Sequence, residues 1–412
     1  MHKQYITESR LILIVGLAQF INILDFMMVM PLGPDFATSL NIPLHAIGYI
    51  GGSYTFAAAI AGLSGALFLD QFQRRKAFLI AFTGLIVATV SAAFAFDLYS
   101  IMAARILAGI FGGPMSALAI AMVADMVPPE RRGMAMGKVM GSFAAASVIG
   151  VPFGLELSHY FGWRAPFLSF GVIGTIIFIL SHKFLVLPPR HITHFSGKQQ
   201  LKNIGHLFKN KTVIASYGFM ALAMFAGFMI IPNIASHLLM NWDFPRKYLG
   251  VLYLLGGSIS FFGMRFAGKI VDKTSSTRAS LYFTIILIIS IFLGFVWWKH
   301  LIPVYLIFPL FMLSMTARNV AGQALSSKVP PAYIRASYMS VQSAVTHLSC
   351  ALGAFSSSVL LHDGSDGHLY GMENVGTLAI IINILVPLLF LYVERRVAKK
   401  VASPDPAITP AA

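Results

Sequence analysis

The chain has 412 residues, of which 57% are hydrophobic and only 11% are charged, and its mean hydropathy is +0.77. A water-soluble chain of this length carries about 25% charged residues, because its surface faces water. The composition therefore excludes a soluble enzyme, a disordered chain and a secreted disulfide scaffold, and it predicts an integral membrane protein. Cys350 is the only cysteine, which rules out an intrachain disulfide and a multi-cysteine metal site.

Apolar stretches long enough to cross a bilayer recur twelve times along the chain. Helices are expected there because lipid offers the backbone no hydrogen-bond partners, and the sequence lacks the alternating strands of a barrel. The predicted fold class is an all-α membrane protein with twelve transmembrane helices in two six-helix halves and both termini cytoplasmic. The predicted helices span roughly residues 11–33, 47–69, 77–96, 99–124, 138–158, 165–182, 212–236, 248–268, 279–297, 301–323, 337–361 and 375–393.

The polar stretch between the sixth and seventh predicted helices separates the two halves. It is interpreted as a tether; alternatively, Leu201, Ile204, Leu207 and Phe208, at helical spacing, form a short amphipathic helix on the membrane surface. The predicted domains are an N-terminal half (1–182), a cytoplasmic linker (183–211), a C-terminal half (212–395) and a cytoplasmic tail (396–412).

The positions of the basic residues explain the net charge of +15. With both termini cytoplasmic, 23 of the 30 Lys and Arg residues lie in cytoplasmic segments and four lie in the opposite loops. This asymmetry follows the positive-inside rule, so the charge indicates membrane topology and contact with anionic lipid, and nucleic acid is not expected as a partner. The remaining three basic residues, Arg105, Arg265 and Arg318, lie inside predicted helices.

Two loop motifs occur once in each half. Asp70 follows the second predicted helix and Asp272 the eighth, and the two are 202 positions apart. Val-Pro-Pro begins at Val127 after the fourth helix and at Val329 after the tenth, which is also a separation of 202 positions. Two independent motifs at one offset indicate parallel duplication of a six-helix unit. Membrane proteins built in this way place a substrate site near the midplane, between the repeats.

These paired motifs, in the setting of residues 10–395, resemble the major facilitator superfamily of secondary transporters. Within that superfamily the chain is similar to the bacterial drug:proton antiporters and arabinose-efflux-like permeases. The resemblance implies a multi-pass transporter of the bacterial inner membrane that works by alternating access, as a monomer and without a cofactor. The implied partners are a small-molecule substrate, protons and the lipid bilayer.

The loop after the second helix resembles the superfamily signature Gly-x-Leu-x-Asp-Arg-x-Gly-Arg-Arg/Lys, although Ala66, Gln71 and Gln73 depart from it. The resemblance implies a cytoplasmic gate, formed by a carboxylate that accepts hydrogen bonds from a helix N-terminus and from nearby Arg. An ordinary charged loop is the alternative. The matching residues in the two copies of the loop are Asp70, Arg74, Arg75, Gly268, Asp272 and Lys273.

Asp25 lies in the middle of the first predicted helix, where an ionised side chain costs about 2.5–3.5 kcal/mol on insertion scales unless it is paired. Arg105 lies in helix 4, in a stretch that resembles the family's Arg-x-x-Gln-Gly signature with Ala108 in place of Gln. The leading hypothesis is that Asp25, with Arg105, carries a coupling proton. A permanent structural ion pair, or an orienting role without titration, is the alternative.

Helix 5 carries an incomplete form of the antiporter signature Gly-Pro-x-x-Gly, in which Val151 replaces the Gly before the proline. Glu156 follows one turn later; it attracts a cationic substrate or relays a proton, or it pairs with His159 or Arg164 at the outer interface. The residues expected to permit close packing and bending of helix 5 are Gly141, Gly150, Pro152 and Gly154.

Polar residues inside the other predicted helices are candidates for the substrate cavity. The predicted helices contain three Arg residues and only two evident acids. We therefore expect Arg265 or Arg318 to lack a carboxylate partner and to reach the cavity, where its guanidinium suits an acceptor-rich substrate. Hydrogen bonds from these Arg residues to helix carbonyls are the alternative. His347 either titrates or is hydrogen-bonded to helix 10, and Asn233, next to Pro232, is expected at a helix break facing the cavity. The cavity candidates are Gln19, Asn22, Glu156, Asn233, Arg265, Arg318, Asn319, Gln323 and His347.

Three functions are compatible with the sequence. Proton-coupled export of a small organic molecule is favoured by the patterns of helices 1, 4 and 5. Proton-coupled uptake of a small solute, such as an anionic metabolite, is favoured by the excess of intramembrane Arg. A non-transport role on the same scaffold, such as a membrane enzyme or a receptor, is the third, and fold alone does not choose among them. No soluble-enzyme motif is present, so an enzyme is not expected.

Overall fold

A computed structural model describes residues 6–68, 72–187, 204–297, 303–331 and 334–402. Twelve helices in these ranges are long and apolar enough to cross a membrane, which confirms the predicted all-α fold class. Their bounds are helix 1 Glu8–Met28, helix 2 Ile47–Phe68, helix 3 Arg74–Ala92, helix 4 Leu98–Met126, helix 5 Pro129–Ala145 continued by Val151–Phe161, helix 6 Arg164–Phe184, helix 7 Lys211–Asn241, helix 8 Leu249–Lys273, helix 9 Ser276–Val296, helix 10 Val304–Ser326, helix 11 Arg335–Leu360 and helix 12 Met372–Ala402.

Several of these bounds correct the predicted ones. Helix 5 begins at Pro129, nine residues before the expected start, because Val-Pro-Pro places a proline at the first helical position, where its missing N–H costs nothing. Helix 12 continues to Ala402 and so includes the first part of the expected tail. Part of the linker (188–203) and the end of the tail (403–412) lie outside the described residues.

Polar side chains mark the start of several helices. Asp97 caps helix 4: its carboxylate accepts from the backbone N–H of Ser100 at 2.7 Å, and the Ser100 hydroxyl lies 3.0 Å from the Asp97 N–H. Hydrogen bonds to the carboxylate from the side chain and the backbone of Ser100 hold the pKa of Asp97, which lies outside the spans, below its usual value. Asn210 and Ser275 cap helices 7 and 9 in the same way. Caps therefore determine where these helices begin.

Three helices change their pitch inside the bundle. A π-helical turn (Ala146–Gly150) precedes Pro152 in helix 5, where the proline removes a backbone hydrogen bond. Helix 7 tightens into a 3₁₀ turn (Ile231–Asn233) around Pro232, at the break that the sequence predicted. Helices 7 and 9 each end in a π turn, at His237–Asn241 and Phe292–Val296.

Short elements that the sequence analysis did not predict lie between the helices at one end of the bundle. A short helix (Gly33–Leu40) and a 3₁₀ turn (Leu44–Ala46) connect helices 1 and 2. An antiparallel hairpin of two short strands, His362–Asp363 and Leu369–Tyr370, connects helices 11 and 12. We call this the opposite end, and we call the end that carries Arg75 and Lys273 the basic end.

The two halves share one apolar core at the opposite end, where Phe36 of the first half and Ile230 of the second belong to the same cluster. Nearer the basic end each half has a core of its own, with Phe82 in one and Phe219 in the other. The bundle is therefore closed at the opposite end, and the halves separate toward the basic end.

The surroundings of the glycines also show that the halves are in contact at the opposite end and apart toward the basic end. A methyl group on Gly48 of helix 2 would lie 2.3 Å from the carbonyl oxygen of Ala354 in helix 11, and one on Gly257 of helix 8 would lie 2.7 Å from that of Ser147 in helix 5. A methyl group on Gly62, near the basic end of helix 2, would meet nothing within 4 Å. Helices of the two halves touch at the opposite end and diverge below it.

Candidate transport site

Asp25 and Arg105 form an ion pair inside the first half. Arg105 Nη1 lies 2.9 Å from Asp25 Oδ2, and both side chains are completely buried. The Thr89 hydroxyl, on helix 3, donates to Asp25 Oδ1 at 2.8 Å. The carboxylate is thus held by helices 3 and 4, away from the cleft between the halves. Helical spacing alone does not identify Thr89 as its partner.

The guanidinium of Arg105 is only partly satisfied. Its Nε and Nη2 atoms are buried without a hydrogen-bond partner among the described residues. Its Cζ atom lies 5.3 Å from the centre of the Phe167 ring, which gives the cation an aromatic face on helix 6. In the part of the chain that the structure describes, the Asp25 bond is therefore the one strong polar contact of this buried cation, and its charge balance depends on Asp25.

Gln19 and Asn22 lie on a different face of helix 1 and belong to a polar network within the first half. The Asn22 amide donates to the Ser116 hydroxyl at 2.9 Å and to the Gly112 carbonyl at 3.2 Å, and it accepts from Tyr54 at 3.1 Å. Ser116 also donates to Gln19 Oε1 at 3.3 Å. The two amides are buried in this structure, and their partners Tyr54 and Ser116 carried no sequence signal.

A cluster of sulfur-bearing and aromatic side chains joins the halves above this network, toward the opposite end. Phe26, one turn beyond Asn22, stacks on Phe228 of helix 7 at 6.1 Å between ring centres. Met30, Met224, Phe228 and Cys350 form the buried part of the cluster, with Phe26, Ile231 and Met315 packed against it. We call this cluster the apolar roof, and it closes the midplane of the bundle from the opposite end.

Arg318 occupies the position in the second half that Ser116 occupies in the first, 202 residues earlier. It is 2% exposed, donates to the amide oxygen of Asn383 in helix 12, and donates to the Ala223 carbonyl at 3.2 Å. No carboxylate among the described residues pairs with it. Of the two interpretations of this residue, the structure agrees with bonds to carbonyl groups and not with a side chain projecting into a cavity.

Arg265, by contrast, is exposed, and its guanidinium lies 5.1 Å from the Phe261 ring centre. It lies about two turns along helix 8 from Gly257, the position at which this helix touches helix 5, in the direction of the basic end. Asn319 lies one turn below Met315 of the apolar roof, with its amide oxygen buried and without a partner among the described residues. Gln323, a further turn along helix 10, is exposed.

Two cavity candidates lie elsewhere than expected. Asn233 is at the helix 7 break, but it is fully buried and donates to Ser357 of helix 11 at 3.0 Å, so it does not face a cavity. Glu156 faces the start of helix 8, where a methyl group on Gly250 would meet it at 2.7 Å. The alternative, a pairing of Glu156 with His159 or Arg164, is not seen in the described part of the chain.

Arg164 instead donates to the backbone carbonyls of Ala93 at 3.0 Å and Ala95 at 3.4 Å, because these carbonyls end helix 3 beside it. His347 is half-buried on helix 11, and within the described ranges it makes no hydrogen bond to helix 10. The interpretation of His347 as a residue bonded to helix 10 is therefore not supported by the geometry.

The glycines of helix 5 differ in their contacts. A methyl group on Gly150 would lie 2.7 Å from Leu24, and one on Gly154 would lie 2.6 Å from Met28, so both glycines permit helix 5 to pack on helix 1 beside Asp25. Gly141, nearer the basic end, has nothing within 4 Å of such a methyl group. Its expected packing role has no counterpart in this conformation.

Two polar contacts join the halves at the opposite end, and the sequence analysis missed both. Arg246, ahead of helix 8, binds Asp35 of the short helix with two hydrogen bonds, Nη2 to Oδ2 at 2.7 Å and Nε to Oδ1 at 3.2 Å. Ser158 of helix 5 donates to the same carboxylate at 3.2 Å. These residues are far apart in sequence, so no spacing predicts their contact.

The second contact is made by Asp363 of the hairpin. Its carboxylate accepts from the backbone N–H groups of Leu44 at 2.7 Å and His45 at 3.0 Å, at the start of the turn that leads into helix 2. The ring Nδ1 of His45 lies 3.2 Å from the same carboxylate. A carboxylate of the second half thus caps a helical N-terminus of the first.

The model of the Major Facilitator Superfamily matches residues 15–354, which is most of the chain. The chain belongs to the Major Facilitator Superfamily. It is therefore a multi-pass membrane protein and a secondary transporter of a small molecule rather than an enzyme.

Solved structures of this superfamily share the fold. The chain is similar to a bacterial homologue of the human lysosomal transporter Spinster, inward-facing and occupied, at 15% identity and a TM-score of 0.76, covering 96% of this chain and 99% of that one. It is similar to the xylose transporter XylE of E. coli, inward open, at 15% identity and 0.69, covering 92% and 96%. It also resembles the nucleoside transporter NupG at 15% identity and 0.72, covering 93% and 99%. At this identity the likeness shows the superfamily fold alone.

The residues predicted to form a gate lie at the basic end of this superfamily fold, apart from Asp70, which is outside the described residues. Arg74 Nε lies 3.3 Å from Asp125 Oδ2, and Arg75 donates to the His182 carbonyl at 2.6 Å. The second copy of the motif ends helix 8: a methyl group on Gly268 would meet nothing within 4 Å, and both Asp272 and Lys273 are exposed.

Proposed function

We propose that this superfamily member exports a small organic molecule across a bacterial inner membrane in exchange for protons, as a monomer. The observation that carries the proposal is the completely buried Asp25, paired with a cation that has no other strong partner among the described residues. Such a carboxylate exists in two forms, ionised with Arg105 or protonated. A change of access that alters the pairing also alters its proton affinity.

Export is supported by the packing of helix 5. Gly150 and Gly154 bring this helix against Leu24 and Met28, the residues that flank Asp25 on helix 1. A movement of helix 5 against helix 1 therefore reaches the proposed proton site directly. This is the packing expected of an antiporter-type helix 5, and it favours the drug:proton antiporter branch over other branches of the superfamily.

Alternating access in this proposal uses the two ends of the bundle in turn. If the basic end faces the cytoplasm, as the positive-inside rule predicts, the conformation described is inward-facing, closed outside by the apolar core and the Asp35–Arg246 pair. In the outward-facing state the basic end closes instead. We propose that Asp70, Arg74, Arg75, Gly268, Asp272 and Lys273 then form the cytoplasmic gate.

The substrate in this proposal binds below the apolar roof. Asn22 of helix 1 lies one turn from Phe26 of the roof, and Asn319 of helix 10 lies one turn from Met315, both on the side of the basic end. The amide oxygen of Asn319 has no partner in the described part of the chain, so it is available to a donor group. Methionine and phenylalanine side chains adapt to varied apolar surfaces. A molecule with an apolar body and a hydrogen-bonding group fits this surface.

One observation favours the alternative, proton-coupled uptake of an anionic solute. Arg265 is exposed on the part of helix 8 nearer the basic end, where the halves diverge, and no described carboxylate pairs with it. A guanidinium in such a position suits a carboxylate or phosphate group. Comparison of Arg265→Gln with the parent protein across anionic, neutral and cationic compounds decides between the candidates, because only anion transport requires the charge.

The experiment begins with a search for the substrate, by thermal stabilisation of the purified protein with a chemically diverse library. The compound that stabilises most is then loaded into proteoliposomes, and a proton gradient is imposed in each direction. Export predicts that substrate moves against the proton flux. Movement with the proton flux contradicts export, and movement that ignores the gradient contradicts proton coupling.

Asp25→Asn tests the proposed proton site in the same vesicles. We expect it to abolish gradient-driven accumulation while exchange of substrate persists, because an amide keeps the shape of the site but takes up no proton. Asp366→Asn, which removes a carboxylate from the exposed tip of the hairpin, is the matched control and keeps full accumulation. Accumulation by Asp25→Asn at the parent level refutes the assignment.

A further inference from the structure

Thr89 of helix 3 is the second partner of the Asp25 carboxylate. Its hydroxyl lies 2.8 Å from Asp25 Oδ1 and 2.9 Å from the carbonyl oxygen of Leu85, one turn earlier in the same helix. A hydroxyl has a single hydrogen and two lone pairs. It therefore donates to one of these two acceptors at a time, and the geometry holds two alternative hydrogen-bond arrangements.

When Asp25 is ionised, both of its oxygens are acceptors. Oδ2 accepts from Arg105 Nη1 at 2.9 Å, and Oδ1 accepts from Thr89. A hydrogen bond to an ionised acceptor is roughly twice as strong as one between neutral groups. The Thr89 hydroxyl consequently points toward Asp25 in this state and not toward Leu85.

When Asp25 is protonated, the new proton is placed by its neighbours. Oδ2 faces the N–H donors of Arg105, so the proton binds Oδ1, and the new O–H group needs an acceptor because Asp25 is 0% exposed. The Thr89 oxygen is within reach. Thr89 turns about its Cβ–Oγ1 bond, keeps its own proton, accepts from Asp25 and donates to the Leu85 carbonyl.

We propose that Thr89 is a positioning residue of the proton site, whose hydroxyl reverses its direction so that Asp25 is hydrogen-bonded in both protonation states. The only covalent change is the O–H bond formed on Asp25 with a proton from the aqueous side. The inference rests on the proposed function, since it takes Asp25 as the residue that titrates. Within the described ranges, the other charged or titratable groups facing Asp25 are Arg105 from helix 4 and Tyr54 from helix 2.

Two substitutions separate the hydroxyl from the shape of the side chain. Thr89→Val keeps the branched shape and removes the hydroxyl, whereas Thr89→Ser keeps the hydroxyl. Thr83→Val is the matched control, because the Thr83 hydroxyl makes the same bond to a carbonyl four residues earlier, to Leu79 at 2.9 Å, on the same helix. Each variant is reconstituted at full length in lipid, and a thermal melt checks that it is folded.

The measurement is infrared difference spectroscopy of the carboxylic C=O band, titrated from about pH 4 to about pH 10, with the proton as the only ligand. Loss of the band in Asp25→Asn assigns it. We expect Thr89→Val to move the midpoint of this titration upward by about one pH unit, because the ionised form loses a charge-assisted bond while the protonated form loses a weaker neutral one. Thr89→Ser and Thr83→Val keep the parent midpoint.

The possible failures are distinguishable. If no band depends on Asp25, the carboxylate stays ionised and the proposed coupling fails together with the role of Thr89. If the band is present but Thr89→Val titrates like the parent, or Thr83→Val shifts equally, the Thr89 inference alone is wrong. If Thr89→Val does not fold, Thr89→Ala is compared with Thr89→Ser, and the same midpoints decide.

Discussion

The Asp35–Arg246 pair is expected to hold the opposite end of the transporter closed, and Arg246→Ala tests this. The pair is bidentate, and its two side chains are 21% and 24% exposed, so solvent screens it only in part. Hydrogen bonds to charged groups contribute about 1.5–3 kcal/mol, and we take the lower bound because of this exposure. About 1.5 kcal/mol corresponds to a roughly tenfold lower ratio of closed to open molecules at this end.

Distances between spin labels measure this ratio. Ser39→Cys in the first half and Ser365→Cys in the hairpin are both exposed at the opposite end, and Cys350→Ser removes the native thiol. In this background Arg246→Ala should increase the population with the longer inter-label distance. Lys247→Ala is the control, because it removes the same charge from the adjacent residue. The Lys247 side chain lies over Tyr248 of its own half and, among the described residues, does not join the two halves.

Two outcomes would refute the reasoning about this pair. The first is a distance distribution in Arg246→Ala that overlays the one measured without the substitution. The second is an equal shift in Lys247→Ala, which would assign the effect to net charge at the opposite end and not to the pairing of Asp35 with Arg246.

Two further predictions concern packing and pH. Gly48→Ala should also open the opposite end and slow transport, because its methyl group would lie 2.3 Å from the Ala354 carbonyl, whereas Gly62→Ala should behave like the parent in the same label experiment. Asp97→Ala should lower the melting temperature at neutral pH. Because hydrogen bonds from Ser100 lower the pKa of Asp97 in the folded state, its stabilisation is present above the unfolded value and disappears as the pH falls below about 4. The melting temperatures of the two proteins should therefore converge in acid, and a constant difference would contradict this.

Much of the fold could be predicted from the sequence because the bilayer imposes it locally. Each apolar stretch must form a helix for its backbone to be hydrogen-bonded, so the count of twelve follows from length and composition. Local chemistry also predicts the break at Pro232 in helix 7. Asp25 and Arg105 were recognised for a similar reason, since charges within membrane helices are rare and need partners.

The tertiary structure decided which side chains meet. Thr89 has no unusual feature in sequence, and its contact with Asp25 depends on how helix 3 packs beside helix 1. Arg318 is charged and lies inside a predicted helix, so the sequence made it a cavity candidate. In the structure it packs against Asn383 and a carbonyl of helix 7.

The conformation, closed at the opposite end, also depends on contacts between the halves, such as that of Asp35 with Arg246, more than 200 positions away. Hydropathy and helical periodicity describe each helix separately, and they determine the number and length of the helices for that reason. The rotation of one helix against another is determined by packing across the whole bundle. The partners of the buried charges are therefore a property of the tertiary structure.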